Sequence, residues 1–138
     1  LVMTIHKFAG IEPGWKMHGH DISPLLKDPA APWPHAAFYE STGDHYGSDV
    51  RKIVNGSPKD ATYHKVPWYV VLRETRWKFI HYLEPGQIEE LYDLQNDPEE
   101  LVNVADRPAN QAVLSRLREA LNAELKRTEA GFAIQSDR

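Results

Sequence analysis

Two imidazoles and a carboxylate stand within four residues at His18-Gly19-His20-Asp21. Such groups can ligate a metal, but alternate residues of a loop lie on different sides, and no third ligand follows at a recognised spacing. The plainer reading is that Gly19 serves a backbone turn and that the histidines stand at a surface or rim. A rim histidine can donate to an anionic substrate, because small shifts carry its charge across neutrality. A second set, His35, Glu40, His45, Tyr46 and Arg51, is spread along a loop-rich middle. These types can do acid–base work or hold an anion, yet their spacing demands neither, and as loop residues they are most simply solvated. A third set, Arg73, Arg76 and Lys78, clusters at the first turn of a strand-rich stretch, where charge ordinarily keeps an exposed edge soluble.

Familiar catalytic signatures do not occur. The chain has no phosphate-cradling glycine loop, no dinucleotide-binding glycine pattern, no zinc-protease helix and no nucleophile elbow. None of the seven histidines lies in a local arrangement that defines a triad. With no cysteine, disulfide scaffolds, thiolate metal sites and a cysteine nucleophile are excluded, and the compartment stays open. The net charge of -4, with both signs interleaved, argues against a nucleic-acid footprint, which concentrates Lys and Arg on one face. No apolar run approaches the roughly 20 residues of a spanning helix. A hydrophobic fraction of 41% and a charged fraction of 26% are those of an ordinary globular chain, and 138 residues suffice for one core.

The elements that must position these groups centre on Trp68 to Leu94. Three runs rich in Val, Ile, Trp, Tyr and Phe, separated by turn residues, predict an antiparallel meander. Tyr69, Val71 and Arg73 fall on one face and Val70 and Leu72 on the other; Trp77, Phe79 and His81 alternate with Lys78, Ile80 and Tyr82. Such a sheet needs a cover for its apolar face. The cover is a helix from Asn110, where Val113, Leu114, Leu117, Ala120, Leu121 and Leu125 recur at three- and four-residue spacing, ending near Gly131. Ala36 to Ser41 predicts a further strand.

Upstream, Val2, Ile5, Phe8 and Ala9 share one face of a short helix closed by Gly10. Pro13-Gly14 opens a loop through His20; Ser23 then caps a helical turn begun by Pro24, with Leu25 and Leu26 inward. Thr42 to Pro67 reads as a long polar loop with a weak apolar run, Val50 to Val54, a length that is often functional or an insertion. Asn96-Asp97-Pro98-Glu99-Glu100 carries the signature of a helix start, of a turn or so. The first ten residues lack a cationic leader and a cleavage site, so no secretory signal is expected there. The chain begins at Leu1, without Met, in an apolar segment, and the expectation is the C-terminal portion of a longer polypeptide.

The ordered series AGIEP, MHGHDISPLLKDP, WPHAAFYE, VPWYVVLRETRWKFIHYL, EELYDLQNDPEELVNVAD and RTEAGF resembles the C-terminal third of bacterial arylsulfatase-like sulfatases, in the alkaline-phosphatase superfamily. The resemblance covers practically the whole chain. It implies an α+β subdomain, a small antiparallel sheet of about four strands packed against the long last helix. Residues 1–34 would then be the end of the large domain and its connection, and 35–138 the C-terminal subdomain with a loop insertion at 42–67.

The resemblance also implies a partner, the large N-terminal sulfatase domain, which carries a formylglycine made within Cys/Ser-x-Pro-x-Arg and a calcium ion held by Asp and Asn. There the hydrated aldehyde attacks the sulfur of a sulfate ester while metal and basic groups stabilise the sulfuryl oxygens. Ser23-Pro24 and Ser57-Pro58 lack that spacing, so no catalytic and no metal residue carries over to this chain. By analogy with the loops that approach the active-site mouth, His18, His20, His35 and His45 are rim candidates. A phosphonate or phosphodiester hydrolase of the same superfamily, or a stand-alone binding module, are the alternatives. An exposed apolar patch involving Leu1 to Phe8 is expected where the large domain docks.

Overall fold

A computed structural model describes residues 1–43, 45, 50, 62–84 and 86–130. The chain divides into two compact units, Leu1–His35 and Ala36–Arg138.

The second unit is α+β. Strands β1 (Ala37–Ser41), β4 (Tyr69–Arg73), β5 (Trp77–Tyr82) and β6 (Glu90–Asp93) form a four-stranded antiparallel sheet in the order β1-β4-β5-β6. The meander expected from Trp68 to Leu94 is β4-β5-β6, and the strand expected upstream pairs on its outer side. Because side chains alternate along each strand, the register sets whole rows on one face. One row runs Phe38, Leu72, Phe79, Leu91 across all four strands. Leu72, Phe79 and Leu91 are buried at 2% exposure or less, and Phe38 packs against them.

Helix α3 (Gln111–Arg127) supplies the cover, with Leu114, Leu117, Leu121 and Leu125 buried on a single stripe at spacings of three and four. Burying each leucine stabilises the unit by roughly 1.5–3 kcal/mol relative to exposure, which is why the amphipathic pattern was readable. The helix stops at Arg127, short of Gly131, because Thr128 turns its hydroxyl onto the Glu124 carbonyl at 3.0 Å and Glu129 takes φ 62°. A 3₁₀ turn, Pro108–Asn110, leads into it.

The β6 edge is not left open. Asn103 accepts the Leu91 N–H at 3.0 Å and donates to the Glu89 carbonyl at 3.0 Å, while the Val104 N–H donates to the Leu91 carbonyl at 2.8 Å. The helix start expected at Asn96 to Glu100 is a pair of turns instead. Asp97 accepts the Val102 N–H at 2.9 Å and Glu100 sits at φ 57°, a conformation that ends a helix rather than beginning one.

Within the stretch read as loop, residues 62–67 form a hairpin, β2 (Thr62–Tyr63) with β3 (Val66–Pro67). Its two linking residues, His64 and Lys65, have φ 49° and 68°, the sense that matches strand twist but that Asn-Gly usually signals. The run Val50 to Val54 falls outside the described residues apart from Val50.

In the first unit, α1 (Val2–Ala9) ends on Gly10 at φ 65°, where the Gly10 and Ile11 N–H groups donate to the Lys7 and His6 carbonyls at 3.2 and 2.9 Å. Helix α2 (Ser23–Lys27) places Pro24 in its first turn as expected, but Ser23 does not cap it. Asp21 does so from outside, accepting the Ser23 N–H at 2.9 Å and the Ser23 hydroxyl at 2.8 Å. Leu26 is 59% exposed, a correction to the inward placement of both leucines: one turn of helix cannot turn two adjacent side chains the same way.

Candidate functional site

His20 and His35 meet. Their rings stack at 3.7 Å between centroids and 10° between planes, and Trp33 sets its edge against both, at 6.2 Å from His20 and 5.0 Å from His35. Loop backbone, not regular structure, brings them together: α2 and the proline-rich segment after it fold the chain back so that two residues fifteen apart become neighbours. His35 is exposed, while His20, Trp33 and His18 are half-buried. The stack turns the two imidazole faces to each other beside the aromatic wall of Trp33. Trp33 was not singled out by sequence reasoning. The signal was present in Trp33-Pro34-His35, an aromatic held next to a histidine by a rigid residue.

The carboxylate of the same motif is already committed. Asp21 takes Lys7 Nζ at 2.5 Å besides its two bonds from Ser23, and the Lys7 hydrogen bond followed by the Ser23 N–H holds its carboxyl far below the usual range. Beside it the Thr4 hydroxyl accepts the Ile22 N–H at 2.9 Å, with Thr4 buried. Asp21 therefore fixes the loop that carries His18 and His20. It is not available as a third ligand.

His45 belongs to the second unit, tilted against Trp68 at 5.5 Å, with its N–H donating to the Thr42 carbonyl at 3.3 Å and its carbonyl accepting the Thr42 hydroxyl at 2.9 Å. Glu40 lies on β1 opposite Val70. Tyr46 and Arg51 fall outside the described residues.

Arg73 is exposed at the end of β4. Arg76 forks onto Asp93 at 2.8 and 3.0 Å and lies 4.8 Å over the Trp77 ring, while Lys78 pairs with Glu100. Two of these three cations thus serve the fold.

A second charged cluster joins helix to sheet. Arg118 of α3 clasps Glu89 with its guanidinium, Nε lying 3.1 Å from both carboxylate oxygens, and His81 Nδ1 stands 3.6 Å away, too far for a hydrogen bond. Burial raises the Glu89 pKa, but His81 and Arg118 together outweigh it and bring it down to about 2.

Among the described residues no three His, Asp or Glu side chains converge as a metal centre requires. Among the same residues no helix is long and apolar enough to cross a membrane.

The second unit is thus an antiparallel sheet with one long helix across it, and the first unit carries a histidine–tryptophan corner on its loops. Residues 1–127 match the family of N-sulphoglucosamine sulphohydrolase C-terminal domains, and the chain belongs to that family. It is 39% identical over 132 residues to the Delta 4,5-hexuronate-2-O-sulfatase of Bacteroides thetaiotaomicron, covering 96% of this chain and 24% of that protein. A solved 2-O GAG sulfatase superposes with a TM-score of 0.69 at 24% identity, over 99% of this chain and 26% of that one. The phosphonate monoester hydrolase of Agrobacterium radiobacter gives 0.61 at 26% identity, over 90% of this chain and 24% of that one. The chain spans about a quarter of the length of the relatives it matches.

Proposed function

We propose that this chain is the part of a sulfuric ester hydrolase that completes the fold and the substrate-pocket rim, the catalytic centre being supplied by the larger N-terminal domain. On this reading the formylglycine and calcium belong to that domain. His18, His20, His35 and His45 serve as rim groups that donate to the sulfated substrate rather than attack it. The observation that carries the reading is the family match over residues 1–127, in a chain amounting to 24% of its sulfatase relative. The stacked His20–His35 pair beside Trp33 supports the rim role, because imidazole edges and an indole wall suit a sugar bearing an anionic ester.

The apolar stripe of α1 supports the partner. Val2, Ile5 and Phe8 are 58%, 57% and 64% exposed on one helix face. Contiguous apolar surface of this kind marks an interaction face.

The full-length gene product is the test. It should carry Cys/Ser-x-Pro-x-Arg upstream and release sulfate from an aryl sulfate, and, given the relative's name, a 2-O-sulfated unsaturated hexuronate is the first sugar to assay. In that enzyme His20→Ala and His35→Ala should raise KM by about tenfold with kcat kept, the pattern of lost uniform binding. Loss of kcat with KM unchanged would count against a rim role. The second reading, a phosphonate ester hydrolase, is favoured by the likeness to the Agrobacterium radiobacter enzyme; faster turnover of a phenyl phosphonate than of the matched aryl sulfate would select it.

A further inference from the structure

A hydroxyl shut away from water is costly unless it is bonded, so a polar side chain buried on a helix calls for a partner. Thr4, in the first turn of α1, is 1% exposed. A helical threonine often turns its hydroxyl back to a carbonyl of its own helix. Here the hydroxyl accepts the Ile22 N–H at 2.9 Å, eighteen positions further along the chain.

Two neighbours on α1 reach the same segment. Lys7 donates to Asp21 at 2.5 Å, and Met3 lies against Gly19, where a Cβ would stand 3.7 Å from the Met3 Cγ. Residues three and four apart share a helix face, so Met3, Thr4 and Lys7 make one side of α1 while Val2, Ile5 and Phe8 make the exposed other. Gly19, Asp21 and Ile22 are thus each held by α1, and His20 is the residue between them. The stack of His20 on His35, at 3.7 Å, is a van der Waals contact, and a gap of about 0.5–1 Å forfeits a quarter to a half of such a contact.

We infer that this side of α1 is a bracket that sets His20 against His35 and Trp33, with Thr4 and Lys7 as positioning residues for the substrate rim. The inference rests on the reading above that His20 donates to the substrate. Thr4 and Lys7 act through the 19–22 loop and need not touch the substrate themselves.

Steady-state kinetics of the full-length enzyme, on whichever ester it turns over, tests it. Thr4→Val removes the hydroxyl at nearly constant volume and leaves the Ile22 N–H without its acceptor, so KM should rise about fivefold with kcat kept. Thr4→Ser keeps the hydroxyl and should stay within about twofold of the parent KM. Lys7→Met releases Asp21 by changing a side chain that is 64% exposed, and should raise KM about threefold; it carries the test if Thr4→Val does not fold. Neither change should add to His20→Ala when combined with it, because both work through that ring. Gly10→Ala supplies the contrast: it strains the end of α1 at φ 65° with nothing within 4 Å of the added Cβ, so it should lower the melting temperature and leave KM alone. KM rising as much in Gly10→Ala as in Thr4→Val would make the effect one of stability and overturn the inference. Thr4→Val and Lys7→Met at the parental KM, with His20→Ala raised, would overturn the bracket and leave the rim reading standing. His20→Ala at the parental KM would sink the rim reading, and the bracket with it.

Discussion

Glu89 and Arg118 join the start of β6 to the middle of α3, so their removal should be felt across the whole second unit. Charge-assisted hydrogen bonds contribute about 1.5–3 kcal/mol when well shielded, and Arg118 keeps 40% of its side chain exposed, so Arg118→Ala is expected to cost about 1–2 kcal/mol. A urea midpoint would show it. The same pair makes stability depend on acid. Glu89 titrates at about 2 in the folded chain against an ordinary 4.5, so it binds protons more readily unfolded. Its contribution is present in full above pH 4.5 and is lost as pH falls toward about 2. Asp93, lowered from 3.8 to about 2 chiefly by the Arg76 hydrogen bond, adds to the loss over the lower part of that window. Midpoints measured down the acid range should therefore fall, and Glu89→Gln should make the curve shallower. A flat curve would show that these carboxylates are not held in solution as they are here. At the alkaline end, burial first and then the Glu90 hydrogen bond push the Tyr82 phenol from an ordinary 10 up to about 12, so its contribution is present in full below pH 10 and is lost as pH rises toward about 12.

Helix α3 and the inner rows of the sheet are bound by shape as well as area. Leu117 and Phe79 are both fully buried in the same cluster, and a truncated side chain there leaves a cavity that the neighbours fill only partly. Leu117→Ala should cost about 2–5 kcal/mol and Phe79→Ala about 3–5 kcal/mol, read from denaturant unfolding. The Arg116–Glu74 fork, at 2.7 Å on each arm but half exposed, makes a useful contrast: Arg116→Ala should cost less than about 1 kcal/mol. Period alone made α3, β4 and β5 legible, because each has one face that must be dry. The 62–67 hairpin and the turns at 97–100 were not legible, since they depend on His64, Lys65 and Glu100 adopting positive φ, a conformation their residue types do not announce.

For the molecule as a whole, the α1 stripe presents apolar surface. Ile5→Glu with Phe8→Glu in the isolated chain should lower binding of a hydrophobic dye to about half, since the two residues account for much of the α1 stripe. Unchanged dye binding would place the apolar surface elsewhere. The four rim histidines divide between the units, with His18, His20 and His35 in the first and His45 in the second.

Local chemistry was enough to mark the strands, the long helix and Pro24 at the head of α2, because periodicity and turn residues act over a few neighbours. It could not say that Asp21 would be consumed by Lys7 and Ser23, that Arg118 would reach Glu89, or that His20 would lie flat against His35 with Trp33 at their edge. Those pairings join residues as much as twenty-nine positions apart, and their partners are chosen by how loops close and layers pack, which no short window of residues contains.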